Sequence, residues 1–215
     1  MTDSLNIDLL EQALRHVGEN LPTGFEVKII IVGGAAGMLT GILPVGRTTF
    51  DCDVILCEPT DRLAELENIA SGVAEKLGLP PRWLNADVQL LFDALPRGWE
   101  SRRVMVGYFS SRAGGEGLER RSSSASPSGS LMVWAVSRPD LIAMKFLAGR
   151  VQDIEDLHAL AVSRDEFQFV RRYLDDQAVL RHRSDDVSQA KLLLRELSRG
   201  TAADETNDII EGGGH

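Results

Sequence analysis

The sequence predicts an α/β chain of the α+β type, with a mixed β-sheet core and a helical C-terminal part. Up to residue 137, short runs rich in β-branched residues, typical of buried strands, alternate with segments of helical periodicity. From residue 138 the apolar residues recur at helical spacing. The 215 residues suffice for a substantial hydrophobic core. We therefore expect an α/β core over 1–137, helices over 138–200 and a polar, disordered tail over 201–215.

The strands and helices of the core are predicted from residue type and period. Continuous β-branched or aromatic runs predict four strands: Glu26–Val32, Phe50–Cys57, Arg102–Phe109 and Leu131–Val136. Helical spacing predicts three helices. The first covers Asn6–Val17, the second is a short helix directly after the first strand, and the third lies between Thr60 and Gly78. Segment 80–95 is ambiguous, and we interpret it as a loop around Trp83 followed by a helical turn. The Ser-, Gly- and Arg-rich stretch 110–130 predicts a flexible loop.

Charge and hydropathy restrict the classes of partner. The net charge of −9 argues against broad electrostatic capture of nucleic acid, which depends on phosphate contacts. A local basic groove stays open as an alternative because arginines cluster at Arg97, Arg102, Arg103, Arg112, Arg120 and Arg121. The simpler interpretation of these arginines is a solvated face. No apolar run of about 18 residues and no basic leader occur, so we expect a cytoplasmic protein without membrane contact.

The two cysteines, Cys52 and Cys57, lie on one predicted strand. Side chains alternate between the faces of a regular strand, so the two thiols are expected on opposite faces. They would then be unable to pair or to share a metal, and we interpret both as small buried hydrophobic residues.

The carboxylates of Asp51 and Asp53 are candidate metal ligands. They lie two residues apart on a predicted strand, so both leave the same face and can reach one magnesium ion. Paired carboxylates repel each other unless a cation or a hydrogen-bond donor compensates them. Gly33 and Gly34 end the first strand and open a helix, a position where backbone N–H groups can bind phosphate. The dinucleotide pattern G-x-G-x-x-G and the Walker pattern are both absent from the sequence.

Two blocks of the sequence resemble a known superfamily. The strand ending in VGGAA, the short helix and the following RTTFDCDVIL resemble the G-G … D-x-D signature of DNA polymerase β-type nucleotidyltransferases. The nearest likeness is to AbiEii-type nucleotidyltransferases, toxins of bacterial toxin–antitoxin pairs, and to related uncharacterised proteins. The later block RPDLIAMKFLAGRVQDIEDLHAL resembles a second conserved block of that family. The resemblance covers about Val27 to Leu160 and implies a minimal polymerase β-like core.

The resemblance also implies roles for individual residues. In the first block, the main chain of Gly33 and Gly34 would bind a triphosphate. The carboxylates of Asp51 and Asp53 would hold Mg²⁺. Neighbouring polar residues would lie beside the phosphates: Arg47, Thr48 and Thr49. In the second block, Lys145 would reach a phosphate, and Arg150 and Asp153 would complete the site. From spacing alone, Asp153 and Asp156 could instead pair with Lys145 or Arg150, or solvate a helix start.

The implied activity is magnesium-dependent transfer of a nucleoside monophosphate from an NTP to an RNA or protein hydroxyl. A toxin–antitoxin role with a cognate antitoxin as partner is also implied. One departure favours an alternative, a catalytically weak nucleotide- or partner-binding protein. Many members of the superfamily carry a third carboxylate on a later strand, and the third and fourth predicted strands contain no acid, while Asp87 and Asp93 lie earlier. The sequence does not predict the oligomeric state.

Overall fold

The computed structural model describes residues 4–110, 129–176 and 180–211, with side chains described as far as residue 199. The chain divides into two units. The first comprises Met1–Phe92 and Glu100–Ser137, and the second comprises Asp93–Trp99 and Arg138–His215. The segment Asp93–Trp99, which the sequence assigned to the α/β core, therefore belongs with the C-terminal helices.

The first unit is built on a five-stranded mixed sheet, which confirms the predicted α+β fold class. In their side-by-side order, the strands are β3 (Leu84–Asn85), β2 (Cys52–Glu58), β1 (Glu26–Val32), β5 (Ser130–Ala135) and β4 (Val104–Ser110). Strand β1 pairs antiparallel with β2 and parallel with β5. Strand β3 pairs parallel with β2, and β4 pairs antiparallel with β5. The short β3 was not predicted; it lies in the segment that was interpreted as a loop followed by a helical turn.

The helices of the first unit have local start and stop signals. They are α1 (Ile7–Glu19), α2 (Gly33–Leu39) and α3 (Leu63–Leu77), with a 3₁₀ turn at Thr60–Arg62. A 3₁₀ turn at Asp87–Ala94 and the short α4 (Trp99–Arg102) span the two boundaries of the segment Asp93–Trp99. The side chain of Asn6 accepts a hydrogen bond from Leu9 N at 2.9 Å and so caps α1. Gly78, with φ of 68°, ends α3 in the left-handed conformation that glycine adopts without strain.

The strand register sorts the side chains of the sheet onto two faces. On the helix face, residues at alternate positions of β1 and β5 are buried: Val27, Ile29, Ile31, Leu131, Val133 and Ala135. Helix α1 packs on this face, where Gly18 lies so close to Phe109 that a Cβ at Gly18 would come within 2.5 Å of it. The opposite face, here called the aspartate face, carries Lys28, Ile30, Val32, Asp53, Leu56, Met105, Tyr108, Met132 and Trp134.

A β-bulge changes the placement of the cysteines. The register of β2 against β1 shifts between Ile30 and Ile31, which leaves one extra residue in β2. Because one extra residue reverses the alternation of side chains, Cys52 and Cys57 lie on the same face. The expectation of opposite faces was therefore wrong, since it assumed a regular strand. Both thiols are free and fully buried, as expected of small hydrophobic residues.

The second unit is helical over its described residues. Its helices are α5 (Arg138–Ala148), α6 (Val151–Ala159), α7 (Arg164–Leu174) and α8 (Ser184–Glu211). Helix α7 begins with a capping box, in which Ser163 Oγ accepts from Glu166 N and the Glu166 carboxylate accepts from Ser163 N. The rings of Phe146 and Phe167 meet edge to face, with centroids 6.2 Å apart, and join α5 to α7.

Polar contacts bind the segment Asp93–Trp99 to α7 and to the residues that follow it. The buried hydroxyl of Tyr173 donates to the carbonyl oxygen of Ala94 at 2.6 Å. The guanidinium of Arg97 donates to the carboxylate of Asp176 at 2.5 Å. These contacts explain why this segment belongs to the helical unit.

Two regions, 110–130 and 201–215, were predicted to be irregular. Of the loop predicted at 110–130, residues 111–128 lie outside the described residues. The disordered tail predicted at 201–215 is corrected in part, because α8 continues to Glu211. Residues 201–210 contain no proline or glycine to end the helix. Residues 212–215 lie outside the described part of the chain.

Candidate functional site

The glycine pair after β1 lies directly against the chain that carries the two aspartates. Gly33 has φ of +69°, a left-handed conformation that favours glycine. A Cβ at Gly33 would lie 3.2 Å from Asp53 Oδ2, and a Cβ at Gly34 would lie 2.8 Å from Thr49 Oγ1. The main chain can approach Asp53 and Thr49 this closely because neither glycine carries a side chain.

The two aspartates lie where β2 begins. Asp53 is the second residue of β2, and its partner across the antiparallel ladder is Val32, the residue before the glycine pair. Asp51 directly precedes the strand. Both residues are half-buried, so the region of the carboxylates is not sealed from solvent. The fold thus brings together the glycines and aspartates that the sequence placed in one site.

Thr49 fixes the chain that enters this site. Its backbone forms a bridge with Leu5, in which Leu5 N donates to Thr49 O at 2.6 Å and Thr49 N donates to Leu5 O at 3.0 Å. Its buried side chain donates through Oγ1 to the carbonyl oxygen of Asp51 at 3.1 Å. Arg47 Nη1 donates to Thr48 O at 3.0 Å, so these two residues belong to the same loop. The first-block residues of the sequence hypothesis therefore lie in one region.

The thiol between the two aspartates is not available as a metal ligand. Burial, followed by the negative charges of Asp53 and Asp51, raises the pKa of Cys52 well above its usual range. The thiol is therefore protonated at neutral pH, and a thiol must ionise to bind a metal. Any metal at this position depends on the carboxylate oxygens.

Sequence reasoning missed Asn85, the neighbour of Asp53 on the side away from β1. Asn85 pairs in register with Asp53 across the parallel strands β3 and β2 and is 5% exposed. Its Oδ1 accepts from Asp87 N at 3.0 Å, and its Nδ2 donates to Arg82 O at 3.4 Å. The amide thus shapes the loop after β3. A two-residue strand has no readable period, so the sequence offered no signal for this neighbour.

The donors that the site offers to Mg²⁺ are the carboxylates of Asp51 and Asp53. Over residues 4–110, 129–176 and 180–211, no group of three or more His, Cys, Asp or Glu is arranged to hold a metal ion. Asp51 and Asp53 supply two carboxylates, and Mg²⁺ commonly takes one or two carboxylates from a protein while substrate phosphates supply further ligands. The space beside Asp53 Oδ2 holds no side chain from Gly33. These residues therefore fit magnesium held jointly with a triphosphate.

The second block of the hypothesis forms a buried ionic cluster. Lys145 Nζ lies 3.1 Å from Asp153 Oδ1 and 2.6 Å from Asp156 Oδ2. Lys145, Asp153 and Asp156 are 4%, 2% and 3% exposed, respectively. Asp153 also accepts from Arg150 Nε at 2.7 Å, at the start of α6. Asp153 and Asp156 thus pair with the two cations, one of the alternatives that spacing left open. A phosphate contact by Lys145 would require its ammonium to leave two buried carboxylates.

The two blocks belong to different units of the chain. Gly33, Gly34, Asp51 and Asp53 lie in the first unit, and the Lys145 cluster lies in the second. The roles implied for Lys145, Arg150 and Asp153 at a phosphate stay predictions.

Comparisons with protein-family models, with curated proteins and with solved structures found no match for the chain. Across the part of the chain that the structure describes, no helix has the length and apolar character needed to cross a membrane.

Proposed function

We propose that this protein is a magnesium-dependent nucleotidyltransferase that moves a nucleoside monophosphate from an NTP to an RNA or protein hydroxyl. The observation that carries the proposal is the approach of the Gly33–Gly34 main chain to Asp53 and Thr49. A phosphate placed beside this turn would also lie beside carboxylates, and like charges at such a distance repel. The arrangement suits an anion that arrives with a divalent cation, as an NTP does.

The residues of the site have separate tasks in this proposal. Asp51 and Asp53 would hold magnesium, which on binding supplies positive charge to the triphosphate and to the transition state. The main chain of Gly33 and Gly34 would position the triphosphate through its N–H groups. Thr49, held by Leu5, keeps the loop before Asp51 in place. Positioning of this kind, rather than covalent chemistry, supplies most of the catalysis in phosphoryl-type transfers.

The reaction itself balances as a displacement at the α-phosphorus. The acceptor hydroxyl oxygen forms a bond to the α-phosphorus, and the bond from that phosphorus to the oxygen bridging the β-phosphate breaks. Pyrophosphate leaves with the bonding electron pair. The hydroxyl proton passes to a carboxylate of the Asp51–Asp53 pair and then to solvent. Cytoplasmic location is part of the same proposal. A toxin–antitoxin role with a cognate antitoxin also belongs to it and rests on the resemblance of the sequence.

The test is label transfer from each α-labelled nucleoside triphosphate, with cellular RNA or protein as acceptor and with or without magnesium. We expect transfer to one acceptor class that Asp51→Asn or Asp53→Asn lowers by about 100-fold or more, as when a charge-stabilising group is removed. The matched control is Asp8→Asn, which removes an exposed carboxylate from the first turn of α1. No transfer and no magnesium-dependent NTP binding by the parent protein would overturn the proposal.

A second candidate function, a catalytically weak nucleotide- or partner-binding protein, is favoured by one observation. The group beside Asp53 across β2 and β3 is the neutral amide of Asn85, and its polar atoms are engaged in the adjoining loop. A neutral amide compensates less of the charge on a divalent cation than a third carboxylate would. This candidate predicts magnesium-dependent NTP binding without transfer.

Asn85→Asp tests the observation behind the second candidate. If the protein is a weak enzyme or a binding module, this variant should tighten magnesium binding measured by calorimetry in the presence of a non-hydrolysable NTP analogue. Asn6→Asp is the matched control because aspartate caps a helix as well as asparagine does. Equal magnesium affinity in the parent, Asn85→Asp and Asn6→Asp proteins would show that position 85 does not contribute to the metal site.

A further inference from the structure

The aspartate face continues beyond Asp53 to an aromatic and cationic surface at the edge of the sheet. Its members, here called the β4–β5 patch, come from the loop before β4 and from β4 and β5: Arg103, Met105, Tyr108, Met132 and Trp134. Met105 pairs with Trp134, and Tyr108 pairs with Met132, so all four side chains leave the same face. A register shift between Met105 and Gly107 marks a β-bulge, a feature that re-aims side chains of edge strands.

Large side chains of the patch are accessible. Tyr108 is 55% exposed and Met105 is 49% exposed, although both are apolar enough to favour burial. The guanidinium of Arg103 lies over the ring of Trp134, 4.9 Å from its centroid. Tyr108 and Trp134 are diagonal neighbours across the strand pair, a distance that aromatic side chains can span. The patch thus offers the exposed ring of Tyr108 and the half-buried ring of Trp134, with the planar cation of Arg103 over the latter.

Trp134 has an unused donor at this surface. Its Nε1 is buried and has no hydrogen-bond partner among the described residues. Buried indole N–H groups usually find a partner. Because Nε1 is buried, an acceptor on a bound molecule, such as a base carbonyl or ring nitrogen, would reach it only after the indole shifts.

Within the patch, Trp134 lies nearer to Asp53 than Tyr108 does, because Trp134 is level with Ile30 and Tyr108 is level with Lys28. Trp134 pairs with Ile30 of β1, and Asp53 pairs with Val32, two residues further along the same strand. Trp134 is therefore about 10 Å from Asp53 across two strand spacings and about 7 Å along the strands. At a stacked rise of about 3.4 Å per nucleotide, this separation corresponds to roughly three or four nucleotides.

We propose that the β4–β5 patch binds single-stranded RNA by stacking bases on Tyr108 and Trp134. Single-stranded RNA is the occupant that matches these groups, because unpaired bases stack on aromatic rings and on arginine planes and offer acceptors to donors. The net charge of −9 opposes phosphate, so stacking rather than charge carries the affinity. The inference rests on the proposed function in one respect: the bound strand would present its terminal hydroxyl to the Asp51–Asp53 pair.

The test is binding of a labelled single-stranded oligoribonucleotide of about 12 nucleotides, without NTP or magnesium, followed by fluorescence anisotropy. We expect Tyr108→Ala to weaken binding about 5- to 150-fold, the effect of removing one base-stacking partner. Trp134→Phe, which keeps an aromatic ring but removes Nε1–H, should weaken it by a smaller factor. Leu90→Ala is the matched control, because Leu90 is 92% exposed in the same unit and lies outside the patch.

A duplex of the same sequence should bind at least tenfold more weakly, because its bases are not free to stack on protein rings. Equal affinity for single strand and duplex, equal affinity of the Tyr108→Ala and parent proteins, or capture of a protein partner in place of RNA would overturn the inference. RNA binding with neither nucleotide transfer nor magnesium-dependent NTP binding would support this inference and overturn the proposed function. Transfer to a protein acceptor without RNA binding would support the proposed function and overturn this inference.

Discussion

The ammonium of Lys145 lies 2.6 Å from Oδ2 of Asp156, and both residues are almost fully buried. Asp153 shares the same ammonium at 3.1 Å, so α5 and α6 are joined by one cation and two carboxylates. A buried charge that loses its partner is strongly destabilising, even where the complete group adds little to stability. The cluster is therefore a sensitive point for the folding of the second unit.

Lys145→Met should lower the free energy of unfolding by about 3–5 kcal/mol, because two buried carboxylates lose the Lys145 ammonium, although Asp153 keeps its ion pair with Arg150. Urea denaturation followed by circular dichroism measures this difference. Lys191→Met is the matched control, since Lys191 pairs with Asp175 at the surface and should change stability by about 1 kcal/mol or less. Adding Asp153→Asn and Asp156→Asn to Lys145→Met should recover part of the loss. Loss of NTP binding with unchanged stability would instead support a phosphate contact for Lys145.

Gly34→Ala should destabilise the first unit by about 1–3 kcal/mol, because the new Cβ would lie 2.8 Å from Thr49 Oγ1. NTP binding should weaken in parallel, since the turn and the aspartate strand would move apart. Gly72→Ala is a control for which we expect the opposite change in stability. A Cβ at Gly72 meets no atom within 4 Å, and alanine in a helix interior should stabilise the protein by up to about 1 kcal/mol. Similar stability of the Gly34→Ala and parent proteins would show that the close approach is not needed.

The thiols should resist alkylation in the folded protein. Burial, and then the charges of Glu67, Asp61 and Glu58, raise the pKa of Cys57 to about 11. Iodoacetamide at pH 8 should therefore modify the native protein far more slowly than the protein unfolded in guanidinium, as measured by mass spectrometry. Because the folded pKa lies above that of an unfolded thiol, this group's contribution to stability is complete below the unfolded pKa and is lost as pH rises through about 11. Rapid native-state labelling of Cys57→Ser, which retains Cys52, would contradict the burial of Cys52.

Tyr173→Phe should destabilise the second unit by about 1 kcal/mol or somewhat more, because the buried carbonyl of Ala94 loses its donor. Arg97→Ala removes the neighbouring ion pair with Asp176, in which the arginine side chain is 68% exposed, and should have a smaller effect. Thermal unfolding of the two variants gives the comparison. If Arg97→Ala costs more than Tyr173→Phe, the surface ion pair rather than the buried hydroxyl holds the segment Asp93–Trp99 to α7.

Local residue pattern was sufficient for much of the fold. Strand β1 lies where its continuous apolar run predicts it, and Gly78 ends α3 as a left-handed residue. Features that depend on neighbouring strands were not accessible. The two-residue β3 has no period of its own, and the bulge that puts Cys52 and Cys57 on one face depends on the pairing of β2 with β1. Alternation along one strand cannot indicate an extra residue opposite another strand.

In the candidate site, too, local motifs could be predicted from the sequence and contacts from neighbouring elements could not. Gly33 and Asp53 were placed together from two local motifs, and the structure brings them into contact range because β1 and β2 are adjacent. The partner of Asp53 on its other side, Asn85, could not be predicted, since it comes from the unrecognised β3. The burial of Lys145 was also missed. Helical spacing within α5 does not indicate this burial, because the packing of α6 against α5 decides which side chains enclose Lys145.

The chain passes between its two units three times, at 92–93, 99–100 and 137–138. A single proteolytic cut after Ser137 would therefore leave seven residues of the helical unit covalently attached to the sheet-bearing fragment. Those residues would keep their hydrogen bonds to Tyr173 and Asp176, so the two fragments of the cut protein should copurify. A gene fragment that starts at Arg138 would encode an incomplete helical unit, with the hydroxyl of Tyr173 deprived of its acceptor.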